Sequence, residues 1–173
     1  EKFATTPPRI YGGWTTCFHI ETADGYDIVI DCGSGFRNSA KDLQAKWGDR
    51  SDRHLYIFGS HSHFDHNEGF DQAAVCFDPR NSIHIHGNYQ FLHGLNAYLG
   101  IFSRFVPDDV IGVQTPINFS IMPAKFHGTE IIDYNPAETR DQPTPADWGR
   151  HDISEPIQLG KTTITAFEAD HPA

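Results

Sequence analysis

The sequence predicts an α/β fold, because short β-prone segments alternate with helical ones. Two β-prone runs, 15–20 and 26–31, flank Ala23-Asp24-Gly25, and a short Asp-Gly connection between such runs is a strong hairpin signal. The apolar run 54–58 predicts a strand, and segments near 43–47 and 89–101 have the apolar spacing of helices, the second despite Gly94.

The elements follow one another in a consistent order. The hairpin ends in Asp31-Cys32-Gly33-Ser34-Gly35, whose glycines permit a tight turn, and Asn38 or Ser39 is expected to cap the first helix, which runs through Leu43 to Trp47. The strand at 54–58 is expected to be buried on both faces and to deliver the next loop to the end of a sheet. Further predictions are a strand at 83–86, a long surface loop at 136–152 that could line a site, and a last hairpin with strands at 157–159 and 162–167.

Composition excludes some classes of function. The chain has 173 residues, the length of one domain, and 23 acidic against 13 basic residues give a net charge of −10, which disfavours long nucleic acid as a partner. Three cysteines without CxxC spacing predict reduced thiols and a cytoplasmic location. No apolar run reaches the ~20 residues of a membrane-spanning helix, so no membrane partner is expected.

The segment His61-Ser62-His63-Phe64-Asp65-His66 is the strongest functional signal. Imidazole and carboxylate groups at this density are typical of metal coordination, and the alternative, a polar surface loop, is disfavoured. Residues two apart on an extended segment project to the same side, so His61 and His63 can hold one ion while the turn carries Asp65 and His66 toward a second. Such a pair of ions lowers the pKa of a bound water to about 7, which favours hydrolysis.

This motif resembles the HxHxDH signature of the metallo-β-lactamase fold superfamily. The turn at 31–35 is similar to the family's aspartate-glycine turn, the segment 11–17 to the entry into its hairpin, and Asp170-His171-Pro172 to a later strand that ends in His-Pro. Within the superfamily the chain looks closest to the phosphodiesterase and tRNA 3′-processing branch.

The resemblance implies a four-layer αββα sandwich and a set of ligands. His61, His63 and His171 would hold the first metal, Asp65 and His66 the second, and Asp65 would also orient the attacking water. Two Zn²⁺ per complete site are expected, with Mn²⁺ or Fe²⁺ as alternatives. Residues 1–173 would form a single partial domain, the first half of the fold, without its opening strand and with the remaining ligands downstream of residue 173. Its uncovered sheet would need a cover, for which a homo-oligomer is one solution.

Several residues outside the motif have both a functional and a structural interpretation. Asp31 either holds a ligand histidine by a hydrogen bond or stabilises its own turn, and the two interpretations remain open. His127 is a weaker rival to His171, and Cys32 is assigned no chemistry. The remaining histidines are interpreted as structural or surface groups: His19, His54, His84, His86, His93 and His151.

The functional hypothesis is a metal-dependent hydrolase, a phosphodiesterase acting on a small nucleotide-like phosphodiester through metal-activated water. A thioester or β-lactam hydrolase of the same fold shares these ligands and stays open, as does a non-catalytic metal-binding or regulatory module. An RNA-processing activity is disfavoured by the acidic charge.

Overall fold

A six-stranded sheet organises the chain. The structure is a computed structural model that describes residues 13–103, 122–132 and 148–168, with side chains omitted at 99–103. The strands lie side by side in chain order: β1 (Phe18–Glu21), β2 (Asp27–Ile30), β3 (His54–Phe58), β4 (Ser82–Gly87), β5 (Lys125–Ile132) and β6 (Gly149–Asp152). β1 and β2 are antiparallel, whereas every later neighbour is parallel. With helices α1 (Phe36–Trp47) and α2 (Tyr89–Ser103), this confirms the α/β class.

Both predicted hairpins are confirmed. β1 pairs with β2 through a turn in which Gly25 has a φ of 90°, a left-handed conformation that glycine adopts at low cost. β7 (Ile157–Leu159) pairs with β8 (Thr162–Ile164) through Gly160, also at positive φ. The strand predicted at 83–86 is β4, and the helix predicted at 89–101 is α2.

Helix α1 is confirmed, but the prediction of its cap is wrong. The helix begins directly after Gly35, no side chain caps it, and Asn38 and Ser39 lie inside it. The reason is that Phe36 is already fully buried, so the apolar face of the helix starts there. Its buried apolar residues recur every three or four positions: Phe36, Ala40, Leu43 and Trp47.

The sheet buries one face against both helices, so the prediction that β3 is buried on both faces is wrong. Leu55 and Ile57 are fully buried in one core cluster with residues of α1 and α2. On the opposite face His54 is exposed, while Tyr56 and Phe58 are half-buried. Aromatic contacts replace a second helical layer on this face.

The prediction of a loop at 136–152 is wrong at its end, since residues 149–152 form β6. Pairing with β5 gives this segment backbone partners that a surface loop would have sought in water. Most of that loop prediction, together with Asp170-His171-Pro172, lies outside the described residues. Within the described ranges, no helix has the length and apolar character needed to cross a membrane. All three cysteines are free, as predicted.

Candidate metal centre

The candidate site lies at the carboxyl ends of two parallel strands. Ile30 and Phe58 are register partners at the ends of β2 and β3, and the amide of Asp31 donates to the carbonyl of Phe58 at 3.0 Å. The loops that follow the two strands therefore leave the sheet together.

Three histidines of the predicted motif converge there. His61 Nε2 is 3.1 Å from His63 Nδ1, and the two ring planes are nearly perpendicular at 77°. The His61 and His66 ring centroids are 3.9 Å apart. Two nitrogens bound to one tetrahedral zinc at about 2.0–2.1 Å lie roughly 3.3 Å apart. At 3.1 Å the His61–His63 pair forms an N–H···N hydrogen bond, and this separation is also close to that of two ligands sharing an ion.

Asp65 lies on the open side of this cluster. The short 3₁₀ turn Phe64–His66 carries it, its side chain is 55% exposed, and its Oδ2 is 3.5 Å from His66 Nε2. His66 is more enclosed, at 14% exposed. The structure thus places Asp65 and His66 side by side, with the carboxylate accessible to solvent.

The donor atoms of the cluster suit a metal in kind but not in number. In the part of the chain that the structure describes, no group of three or more His, Cys, Asp or Glu is arranged to hold an ion. His61 and His63 supply two adjacent ring nitrogens, and imidazole nitrogen with carboxylate oxygen is a donor set that suits zinc. The predicted third ligand, His171, falls outside the described ranges.

The buried carboxylate of Asp31 accepts hydrogen bonds from the loop that carries the histidine cluster. It is 2% exposed and has a φ of 58°, which aspartate tolerates better than most residues. Its carboxylate accepts from the Ser60 amide at 2.7 Å, from Ser60 Oγ at 2.8 Å and from His66 Nδ1 at 2.7 Å. Asp31 therefore holds a histidine of the motif and also ties together two loops.

Sequence reasoning missed Ser60. Its Oγ lies 3.0 Å from His61 Nδ1 and 3.4 Å from His66 Nδ1, besides its contacts to Asp31. The signal was available in its position, directly before the motif at a strand end, where a hydroxyl can reach the same carboxylate as the histidines.

Close backbone packing requires a glycine at position 33 of the turn at 31–35. Three short backbone bonds join this turn to its neighbours: Cys32 N to His66 O at 2.7 Å, Gly69 N to Cys32 O at 2.8 Å, and Gly33 N to Thr16 O at 2.8 Å. A side chain on Gly33 would overlap the carbonyl of Asp65. Close approach of two backbones, and not a positive φ, is what requires glycine at this position.

The histidines outside the motif occupy the open face of the sheet. His54 Nδ1 and His84 Nε2 are 3.0 Å apart with ring planes only 20° apart and centroids at 5.2 Å, so the rings lie edge to edge and form an N–H···N hydrogen bond. His127 stacks on His84 at 4.8 Å, and no contact among the described residues joins it to His61 or His63. Burial, with the neighbouring imidazoles, lowers the pKa of His84 to about 4.

No family model, curated protein or solved structure matches this chain significantly.

Proposed function

We propose that this chain is a metal-dependent hydrolase of the metallo-β-lactamase fold superfamily and that it cleaves a small nucleotide-like phosphodiester. The observation that carries the proposal is the approach of His61 Nε2 to His63 Nδ1 at 3.1 Å, with Asp65 and His66 beside them at the carboxyl end of β3. The αββα sandwich is supported by a sheet that has both helices on one face and an aromatic, half-exposed opposite face.

The residues present have distinct roles in this proposal. His61, His63 and His171 would hold one ion, and Asp65 and His66 would hold a second. Bound zinc supplies a Lewis acid and a water acidic enough to be deprotonated near neutral pH. Asp65 would accept a hydrogen bond from the attacking water and orient it. Its exposed position leaves room for a substrate at the mouth of the cluster.

Substrate size follows from charge. With a net charge of −10, the chain repels a long polyanion, whereas a monoanionic phosphodiester needs only local neutralisation at the site. Small diesters are therefore favoured over RNA. Thioesters and β-lactams need the same activated water and must be distinguished by assay.

The test is Asp65→Asn, which keeps the shape of the side chain and removes its charge. Hydrolysis of a bis-aryl phosphate, a cyclic nucleotide and a β-lactam is measured together with zinc content on the same samples. We expect phosphodiesterase activity to fall on the order of 10²-fold or more while the first zinc stays bound. Asp52→Asn is the matched control, because Asp52 is 87% exposed and contacts His54 on another part of the sheet.

Each contrary result has its own meaning. Near-wild-type phosphodiesterase rates in Asp65→Asn would remove the role given to Asp65. Faster turnover of the β-lactam than of either phosphodiester in the wild type would overturn the substrate class. Zinc binding without turnover of any substrate would replace the enzyme with a metal-binding module.

A further inference from the structure

We infer that Ser60 is a positioning residue: its hydroxyl fixes the proton of His61 on Nδ1 and thereby presents the Nε2 lone pair to the metal. The inference deepens the proposed metal site and rests on it. Ser60 itself touches neither metal nor substrate in this scheme.

The Ser60 hydroxyl has a single proton to donate. The Asp31 carboxylate can only accept hydrogen bonds, and Ser60 Oγ lies 2.8 Å from one of its oxygens and 3.0 Å from the other. The Ser60 amide donates to the same carboxylate at 2.7 Å and holds the residue in place. The hydroxyl proton is therefore committed to Asp31.

Once its proton is donated to Asp31, Ser60 Oγ can only accept from His61 Nδ1, which lies 3.0 Å away. A neutral imidazole carries one N–H, so a proton on Nδ1 leaves Nε2 with a lone pair. That lone pair points to the space shared with His63 Nδ1 at 3.1 Å. In the metal-free protein, His63 Nδ1–H donates to it.

Asp31 orients the His66 ring in the same way but by a direct hydrogen bond, without the Ser60 hydroxyl between them. His66 Nδ1 donates directly to Asp31 Oδ2 at 2.7 Å, so in the neutral ring the lone pair lies on Nε2, 3.5 Å from Asp65 Oδ2. One buried carboxylate thus sets two rings, His66 by direct contact and His61 through the Ser60 hydroxyl. Carboxylates and backbone carbonyls commonly orient metal-binding histidines in this way, and here a hydroxyl extends the reach of one carboxylate to a second ring.

The direct test is ¹⁵N NMR of the imidazole nitrogens in the metal-free protein, where protonated and unprotonated ring nitrogens resonate far apart. We expect His61 to be protonated on Nδ1 in the wild type, a measurement that needs no substitution. In Ser60→Ala the preference should be lost, and zinc Kd, measured by competition with a chromophoric chelator, should rise 10- to 100-fold. Ser60→Thr keeps a hydroxyl at the same position and should restore both.

Ser62→Ala is the matched control. Ser62 lies between His61 and His63, and no hydrogen bond from its hydroxyl to a histidine is seen in the described residues. It should leave the tautomer and the zinc Kd unchanged. Protonation of His61 on Nε2 in the wild type would overturn the inference, and so would a Ser60→Ala variant with unaltered tautomer and affinity.

The outcome is separable from that of the proposed function. Failure of the wild type to hydrolyse any of the three substrates, with the expected tautomer and zinc affinities, would reject the enzyme and support the role of Ser60. Normal hydrolysis with the opposite tautomer would reject the role of Ser60 alone.

Discussion

Gly33→Ala isolates the close packing that positions the histidine loop. A methyl group on Gly33 would overlap the carbonyl oxygen of Asp65 and would lie 2.6 Å from Thr15 Oγ1 and from the carbonyl of Thr16. Two of these three obstacles are backbone atoms, which cannot rotate away as a flexible side chain can. The loop at 61–69 must therefore move away from the glycine-rich turn.

The cost follows from the hydrogen bonds that this movement breaks. The three backbone bonds between Cys32, Gly33 and their partners are 2.7–2.8 Å long. At about 0.5–1.5 kcal/mol net each, their loss removes roughly 1.5–4.5 kcal/mol. If the loop does not move, the steric overlap itself costs about 1–3 kcal/mol. Movement of the loop relieves this overlap but breaks the hydrogen bonds, so the two costs replace each other and do not add. We expect the free energy of unfolding to fall by about 3 kcal/mol.

The assay is urea unfolding, with zinc affinity measured on the same variants. Gly25→Ala is the control: Gly25 has a φ of 90° and no atom lies within 4 Å of an added methyl, so the substitution carries backbone strain of about 1–2 kcal/mol and no overlap. Zinc affinity should fall in Gly33→Ala and stay unchanged in Gly25→Ala. If Gly33→Ala unfolds within about 0.5 kcal/mol of the wild type, the packing argument is wrong.

Three further predictions concern the core and the open face. Arg53 is fully buried and donates to Asp78 at 2.7 Å and to the carbonyl of Arg50 at 2.7 Å. Arg53→Met should lower the free energy of unfolding by about 2–4 kcal/mol, and a loss below about 0.5 kcal/mol would refute this prediction. Burial lowers the pKa of His84 and of His86 to about 4, and the unfolded chain titrates near 6.5. Below pH ~6.5 the unfolded chain therefore binds protons that the folded chain does not, so stability should be full above ~6.5 and fall as the pH drops toward ~4. In the double variant His84→Gln/His86→Gln, the free energy of unfolding should change less with pH across that range. An unchanged pH dependence would contradict the lowered pKa values of the two histidines. Burial also raises the pKa of Cys32, so native protein should resist iodoacetamide at this thiol until it unfolds; labelling at the rate of a free thiol would show the site to be open.

The elements that sequence predicts correctly are those whose signal is local. The Asp24-Gly25 turn determines its hairpin through backbone conformation alone, and the 61–66 motif keeps its histidines together because they are neighbours in the chain. The proximity of His61 to His63 follows from this spacing, whereas the approach of His66 to His61 is a finding of the structure. Their relation to His171 depends on residues outside the described ranges and stays a prediction.

The predictions that fail concern features determined by contacts with residues distant in the sequence. The start of α1 is set by burial of Phe36 in the core and not by a local cap, and β6 exists because β5 offers it a parallel neighbour. Ser60 gains its importance from Asp31, 29 residues earlier, across the β2–β3 pairing. A single sequence contains no direct signal for such contacts.

The measurement that tests the central claim most directly is the zinc content of the protein after equilibration with Zn²⁺ and dialysis into metal-free buffer. Elemental analysis should find about one zinc per chain or more in the wild type and in His84→Ala, whose imidazole lies on the open face of the sheet. His63→Ala should lose most of that metal, because His61 then has no partner nitrogen at 3.1 Å. Equal zinc in the wild type and in His63→Ala, or its absence from both, would contradict a metal centre at the His61–His66 motif.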